Sequence, residues 1–203
     1  MTGRPRLAVV VTLLTLASLV AGHAASDTTP PALAGQLLVA LDDNRDPRFV
    51  ETVIYMLRHD GDGAMGLVVN RPLAEVAAGE LLARFGVRDT TAQGDIRVHY
   101  GGPVEPGRGV VLHTADRMLT DSQLVADGIA FTATAEMLKA IAAGKGPRRS
   151  LVLVGYAGWA PGQLEGELQR GVWATVPSDA AFLFEGDPER MWERALARRK
   201  LRI

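Results

Sequence analysis

Gly155-Tyr156-Ala157-Gly158-Trp159-Ala160-Pro161-Gly162-Gln163-Leu164-Glu165-Gly166-Glu167-Leu168 is the stretch on which the fold depends. It follows the apolar run Leu151 to Val154, which is typical of a strand buried on both faces. Its glycines would let two aromatic side chains pack closely at a tight corner. Pro161 suits the start of a helix, and leucines then recur at helical spacing. The stretch therefore predicts a buried strand, a corner and a helix.

The chain before this stretch is predicted to be rich in strands. A strand covers residues 35–40, and a hairpin covers residues 52–70, with two Asp-Gly pairs at its turn. The apolar spacing becomes helical over residues 73–85. Residues 96–104 and 109–114 then read as a second strand pair, joined by a link rich in Gly and Pro that favours irregular structure.

The remaining segments are short and follow no repeating order. Patterns favour strands over residues 129–132, 172–176 and 181–184, and helices over residues 134–143 and 188–198. Because strands and helices do not alternate as they do in βαβ units, the sequence predicts an α+β fold and not a doubly wound sheet.

Length and composition restrict the function classes. A chain of 203 residues fits one domain, and its hydrophobic fraction of 47% is ample for a core. The net charge of −1 gives no electrostatic footprint for nucleic acid, and no direct nucleic-acid motif is found. The absence of cysteine excludes disulfides, thiolate metal sites and cysteine nucleophiles.

The N-terminus has the pattern of a secretory signal peptide over residues 1–26. Arg4 and Arg6 precede a run of fifteen uncharged residues, and small residues follow it. Cleavage between Ala24 and Asp27 would place the mature protein in the periplasm or outside the cell, with no stable membrane span. The alternatives are an uncleaved anchor and a start codon placed too early, and the latter would leave the protein in the cytoplasm.

Several short blocks, taken together and in order, resemble the YqgE/AlgH family. The blocks are Gly35–Ala40, Asp46–Phe49, Gly63–Pro72, Gly101–Val104, Val111–His113, Gly155–Trp159 with Pro161–Glu165, and Trp173. They place the family domain at residues 33–200. The resemblance implies a single domain in which a twisted mixed β-sheet curls toward an incomplete barrel and is flanked by helices.

The resemblance also implies a function that is poorly defined. The family is described as transcriptional regulators, without an established enzymatic activity or DNA-binding motif. Its members are ordinarily cytoplasmic and begin near the Gly-Gln-Leu block, whereas this chain carries an N-terminal extension before Gly35. If that extension directs export, direct regulation of transcription is disfavoured.

The sequence predicts neither a metal site nor a cofactor. His99 and His113 lie on the two strands of the second predicted pair, but a simple register leaves them about 10 Å apart along the strands. Zinc requires ligand nitrogens at about 2 Å from one ion. Two hydrogen-bonded sheet histidines are therefore the preferred interpretation.

No catalytic constellation emerges either. The sequence has no Gly-x-Ser-x-Gly elbow, and its serines lie in no activating motif. Glu165 and Glu167 diverge by about 200° on a helix, so they would not share a substrate. The enzymatic alternative is a hydrolase of unknown substrate that uses His113 with one of these glutamates, and it requires them to converge in one pocket.

The first hypothesis is a non-enzymatic binding or regulatory module whose partner is an unknown protein or a small anionic ligand. Arg71, in a backbone constrained by Pro72, could present its guanidinium to an anion or cap a neighbouring carbonyl edge. Exposed N–H groups of the glycine-rich segments could bind an anion, although close packing against the aromatics is preferred. The candidate binding residues are Asn70, Arg71, Gly101, Gly102, His113, Trp159, Gln163 and Glu165.

Overall fold

A computed structural model describes residues 33–88 and 92–200, so the predicted signal peptide lies outside the described residues. The strands of this part are β1 (Gln36–Ala40), β2 (Val53–Asp60), β3 (Gly63–Val68), β4 (Pro72–Ala77), β5 (Asp95–Tyr100), β6 (Val104–Thr114), β7 (Gln123–Ala126), β8 (Ile129–Thr132), β9 (Ser150–Trp159) and β10 (Trp173–Pro177). The α-helices are α1 (Ala78–Arg84), α2 (Ala135–Ala142), α3 (Gln163–Gln169), α4 (Ala180–Phe184) and α5 (Met191–Lys200). Short 3₁₀ helices cover Pro47–Phe49 and Pro188–Arg190.

The strands form one mixed sheet that is organised around β9. Its main path runs β10-β1-β2-β3-β9-β6-β8-β7, and β5 and β4 branch from it at β9. The first half of β9 pairs in parallel with β5, while its second half pairs antiparallel with β3. Strand β6 pairs with β9 on the other side. The predicted single α+β domain, with a sheet that curls into a half-barrel flanked by helices, is confirmed.

Apolar side chains form three clusters on the faces of this sheet. The largest contains Leu37, Tyr55 and Leu153, and α4 and α5 cover it through residues such as Phe182 and Met191. A second cluster packs beneath α3, and a third packs beneath α1 and α2. The second cluster contains the two tryptophans of the distinctive segments and leads to the candidate site.

The predicted corner at Gly155–Trp159 is wrong, because β9 continues through this segment to Trp159. Gly155 has a φ of 73°, in the left-handed region that glycine tolerates. The backbones of Gly101 and Gly102 approach β9 so closely here that a Cβ on any of these three glycines would overlap the opposing main chain. The segment is thus a strand crossed at short range by another segment, and the helix that follows is confirmed as α3.

The predicted strand pair 96–104 with 109–114 is also wrong. Both segments contain strands, but β9 lies between β5 and β6 and pairs with each of them. The link between them is regular from Val104 onward, because β6 begins there, with a register shift between Val104 and Gly109 that accommodates the Gly- and Pro-rich residues.

Two further predictions require correction. The first part of the predicted helix 73–85 is strand β4, since Pro72–Ala77 pairs with β5, and only Ala78–Arg84 is helical. Residues 181–184 form helix α4 and not a strand, because the Asp179 side chain caps it by accepting the Phe182 N–H at 2.7 Å. Strand β7 was not predicted.

Candidate functional site

An open cleft of about 790 Å³ lies beside the second half of β9. One wall is the loop between β1 and β2, and the opposite wall is formed by α3 and the start of β10. Pro103 and Val104 contribute from a third side. Ligand pockets in proteins usually measure about 300–1,000 Å³, so the cleft has the size of a small-molecule site.

Three aromatic rings contribute to the apolar part of the cleft. Trp159 and Trp173 are 8% and 4% exposed, and their ring centroids lie 6.2 Å apart with planes at 82°. Phe49 meets the Trp173 ring edge-on at a centroid distance of 5.6 Å. Such edge-to-face contacts add about 0.5–1.5 kcal/mol to the burial of the rings. The rings are therefore fixed against each other.

Glu167, on α3, holds this arrangement together. Its Oε2 accepts the indole N–H of Trp159 at 2.9 Å and that of Trp173 at 2.7 Å. Its Oε1 accepts the side-chain N–H of Gln163 at 2.9 Å, and the Gln163 carbonyl oxygen in turn accepts the Ala160 N–H at 3.1 Å. Both oxygens of the carboxylate are thus occupied by neighbouring donors.

The polar rim of the cleft consists of residues of the β1–β2 loop and Arg170. Unlike the Glu167 carboxylate, several of its polar groups have no hydrogen-bond partner. Asp46 binds the Arg48 guanidinium at 2.6 Å, and this hydrogen bond lowers the pKa of the Asp46 carboxyl. The Nδ2 of Asn44 is buried and has no hydrogen-bond partner. Arg45 and Arg170 line the cleft, are exposed, and have no ion pair or hydrogen bond to any described residue.

The acceptors of the rim are fewer. Asp43 also lines the cleft, and it has no partner among the described residues. It is one carboxylate without a partner, compared with the two arginines, Arg45 and Arg170, that have none. The hydrogen-bonding capacity left over in the cleft is therefore mostly that of donors.

The predicted residues Gly101 and Gly102 position one side of the cleft without facing it. The Gly101 N–H donates to Val154 O at 2.8 Å, and Val68 N–H donates to Gly101 O at 2.8 Å. The N–H and C=O of Gly101 are used in this way, and both glycines serve a close main-chain crossing. The crossing delivers Pro103 and Val104 to the cleft.

The predicted residues Asn70 and Arg71 brace the loop that carries Phe49. Asn70 accepts the Val53 N–H and donates to Glu51 O, each at 2.9 Å. One Arg71 nitrogen donates to Val50 O at 2.7 Å and to Thr52 Oγ1 at 2.8 Å. Of the two interpretations left open for Arg71, the structure supports the carbonyl cap.

Glu165 points away from the cleft and pairs with a buried histidine. Its Oε1 lies 3.0 Å from Nε2 of His59, whose side chain is 2% exposed. The pKa of Glu165 is lowered, chiefly by its own backbone N–H at the start of α3 and further by His59. This contact ties α3 to the β2–β3 hairpin, so Glu165 has a role in positioning the cleft wall.

His113 lies apart from all of these residues. It is 0% exposed, its Nδ1 meets Thr114 O at 2.9 Å, and its Nε2 meets Thr132 Oγ1 at 2.8 Å. It pairs with Ser150 at the beginning of β9, whereas the cleft lies at the end of that strand. The convergence of His113 with Glu165 or Glu167 that a hydrolase would require is not formed.

Among residues 33–88 and 92–200, no group of three or more His, Cys, Asp or Glu side chains could hold a metal ion. In the same residues, no helix combines the length and the apolar character needed to cross a membrane.

Of the predicted binding residues, Trp159 and Gln163 line the cleft, while five others frame it and His113 does not contribute. No pattern in the sequence points to Arg45, Arg170 or Asn44, which also line the cleft. A signal existed for Phe49 and Trp173, because both lie in blocks that carry the family resemblance. The role of Glu167 was not visible, since it depends on two strands brought to one side of α3.

The chain is similar to known proteins over most of its length. The AlgH-like family model matches residues 37–203. A UPF0301 protein of Caulobacter vibrioides is 51% identical over 168 residues, which is 82% of this chain and 86% of the relative. A UPF0301 protein of Rhodospirillum rubrum is 46% identical over 166 residues, with the same two shares of 82% and 86%.

Solved structures with this fold are also known. The solution structure of AlgH from Pseudomonas aeruginosa is similar with a TM-score of 0.73 at 38% identity, covering 86% of this chain and 91% of that one. A crystal structure of protein DIP2367 from Corynebacterium diphtheriae has a TM-score of 0.64 at 21% identity, covering 83% and 87%. The second likeness concerns the fold alone.

Proposed function

The chain belongs to the YqgE/AlgH family, and we propose that it is a non-enzymatic binding module whose cleft takes a small organic anion. The relatives named above carry no enzymatic activity in their names. The proposal rests on the cleft between the β1–β2 loop and α3, and on the chemistry of the side chains that line it.

The observation that carries the proposal is the unequal use of donors and acceptors. Both oxygens of Glu167 already accept from two indoles and Gln163, and Asp46 is occupied by Arg48. The exposed donors that remain are the guanidinium groups of Arg45 and Arg170. Carboxylates and phosphates complement such donors, and arginine binds them in a planar, bidentate geometry.

The aromatic rings indicate the rest of the ligand. Trp159, Trp173 and Phe49 present fixed apolar surface beside the donors. Small-molecule sites generally combine an apolar lining with a few placed polar groups. An anion attached to a flat or branched hydrocarbon body would use both features, whereas a free inorganic anion would use only the rim.

Binding can be followed by the indole N–H resonances of the protein, with 2-naphthoate as the probe. The chain has three tryptophans, two in the cleft and Trp192, whose indole donates to Ala40 O at 2.8 Å and does not line the cleft. We expect 2-naphthoate to shift the signals of Trp159 and Trp173 in a saturable way. The Trp192 signal serves as the internal control.

The anion requirement is tested by a matched ligand and matched variants. 2-Naphthamide has the same body without the charge, and it should bind at least about 10-fold more weakly. The double substitution Arg45→Gln and Arg170→Gln should weaken 2-naphthoate similarly, while Arg58→Gln, at an exposed pair with Asp60, should not. The absence of a saturable shift with 2-naphthoate, or equal binding of the two ligands, would overturn the proposal.

We further propose that the protein is exported, and that it acts in the periplasm or outside the cell. The support is the order of charge, apolar run and small residues over positions 1–26. N-terminal sequencing of the protein from its native host should find a new terminus between Ala24 and Asp27. An intact Met1 would rule out cleavage, and a start near Leu33 would instead favour the cytoplasmic regulator that the family description implies.

A further inference from the structure

Strand β4 is an edge of the sheet, and its side chains are exposed. Within residues 33–88 and 92–200, three strands have a neighbour on one side only, namely β4, β7 and β10. The guanidinium of Arg198 donates to Pro177 O at 3.4 Å, at the end of β10, and Ala126 of β7 packs against Gly35. In β4, every side chain except that of Val76 is exposed. With six residues, β4 is also the longest of these three edges.

The free edge of β4 carries backbone groups that a further strand would pair. Proteins commonly protect such an edge with proline, with lysine or with a β-bulge. In β4, Pro72 and the register shift that follows it affect only the beginning of the strand. Residues Ala74–Ala77 pair regularly with β5 and contain neither proline nor lysine. The second part of β4 is therefore suited to β-strand addition.

A groove of about 370 Å³ lies beside this edge. Strand β4 lines one side of it, and the second 3₁₀ helix, Pro188–Arg190, lines the other together with Asp187. Leu73, which lines the groove, is a large apolar side chain that is 58% exposed. Because side chains alternate between the two faces of a strand, an added strand would direct every second side chain to the face that carries the groove. Such a strand would also cover Leu73.

The charge of the groove indicates the kind of strand that fits. Arg97, the one cation among the described residues that line it, lies 2.8 Å from Glu75, so these two charges compensate each other. The charges of Asp187 and Glu189 remain, since both residues are exposed and neither forms an ion pair with a described residue. A second copy of this chain that paired β4 with β4 would bring like charges together, which is unfavourable. The complementary partner is a cationic strand.

We infer that β4 accepts an extended, basic segment of a partner protein as an additional strand of the sheet. The backbone of the segment pairs with the free edge of Ala74–Ala77, and its lysine or arginine side chains lie in the groove with Asp187 and Glu189. In this mode of recognition, main-chain hydrogen bonds supply affinity and the alternate side chains supply specificity. The surface is separate from the cleft, because no residue lines both.

The test compares two capped peptides on the full protein, one of alternating valine and lysine and one of alternating valine and glutamate. Both favour extended backbone, but they carry opposite charges. We expect the lysine peptide to bind at least about 10-fold more tightly, and less tightly when the salt concentration rises from about 0.05 M to about 0.5 M. It should shift the backbone amide resonances of β4 and slow their hydrogen exchange. The indole signals of Trp159 and Trp173 should stay in place, which separates this result from ligand binding in the cleft.

Two charge reversals locate the binding on the protein. Glu189→Lys changes an exposed residue of the groove and should weaken binding of the lysine peptide by about 3- to 10-fold. Asp121→Lys is the control, because Asp121 is exposed, does not line the groove and gives the same change in net charge. Because the comparison of the two peptides uses the unaltered protein, it stands even if a variant folds poorly. Equal binding of the peptides, equal effects of the two substitutions, or unchanged β4 amide resonances at saturation would overturn the inference.

Discussion

The indole N–H of Trp173 lies 2.7 Å from Oε2 of Glu167. The two residues belong to different elements, β10 and α3, and the same oxygen also accepts the Trp159 N–H of β9 at 2.9 Å. One carboxylate thus connects a helix to two strands at the floor of the cleft. Hydrogen bonds to a charged acceptor contribute about 1.5–3 kcal/mol, which makes this contact a principal determinant of the local geometry.

Replacing Glu167 by Ala should therefore destabilise the protein by about 2–4 kcal/mol, since it leaves two largely buried indole N–H groups without an acceptor. Urea unfolding would measure the change. The matched control is Gln169→Ala, an exposed position on the same helix, which should stay within about 0.5 kcal/mol of the unaltered protein. If both variants lose the same stability, the carboxylate does not hold the floor.

The crossing of Gly102 over β9 leads to a second prediction. A Cβ at this position would overlap the main chain of Tyr156, and Gly102 has a φ of 151°, which L-residues rarely adopt. Gly102→Ala should cost about 3 kcal/mol or more, because overpacking and backbone strain add.

Gly107→Ala is the control for this experiment, since a Cβ there would meet no atom within 4 Å. It should change the free energy of unfolding by no more than about 0.5 kcal/mol. Thermal or urea unfolding of the two variants would distinguish a required close approach from a general intolerance of side chains. Similar effects of the two substitutions would contradict the interpretation.

The sequence was sufficient to predict most elements and the fold class, because hydrophobic periodicity and turn residues are local signals. Which strands pair is not local. Strands β5 and β6 follow each other along the chain, yet β9, about fifty residues later, lies between them. The apolar spacing of strand β4 fits a helix, but its pairing with β5 decides the conformation.

The candidate site was also predictable only where its residues lie in one local segment. Trp159 and Gln163 were identified from their distinctive segment, which does line the cleft. The contact between His59 and Glu165 joins residues 106 positions apart, so no spacing rule reveals it. Arg45 and Arg170 lack any sequence signal, because their importance lies in being unpaired.

A series of hydrogen-bonded side chains, Ser122, Thr132 and His113, leads to a third prediction. Thr114 O can only accept, so His113 Nδ1 carries the proton and Nε2 accepts from the Thr132 hydroxyl at 2.8 Å. Thr132 must then accept from the Ser122 hydroxyl, which lies 2.7 Å away. The direction of every hydrogen bond is thereby fixed.

Thr132→Val keeps the shape of this side chain and removes its hydroxyl, which leaves His113 Nε2 and Ser122 without their partner. We expect a loss of about 1–3 kcal/mol in the free energy of unfolding. Thr134→Val is the matched control, because Thr134 is exposed and its side chain makes no capping hydrogen bond. An equal effect of the two substitutions in urea unfolding would contradict the proposed chain of hydrogen bonds.

The buried state of His113 also predicts how stability depends on pH. Burial lowers the pKa of His113 in the folded protein, and the contributions of Thr114 and Asp116, which raise it, do not compensate. As the pH falls below the ordinary value of 6.5, the unfolded chain binds a proton that the folded protein does not. The unfolded state is then favoured, and the free energy of unfolding falls by up to about 1.4 kcal/mol per pH unit for this group until the folded pKa is reached.

The effect can be isolated with His113→Asn. Urea unfolding between about pH 7 and about pH 5 should give a lower stability for the variant at neutral pH but a shallower decline on acidification. His99 is also buried with a lowered pKa, so part of the decline should persist in the variant. An unchanged slope would mean that His113 takes up a proton as readily in the folded protein as in the unfolded chain, with Nε2 donating to the Thr132 hydroxyl while Nδ1 still donates to Thr114 O.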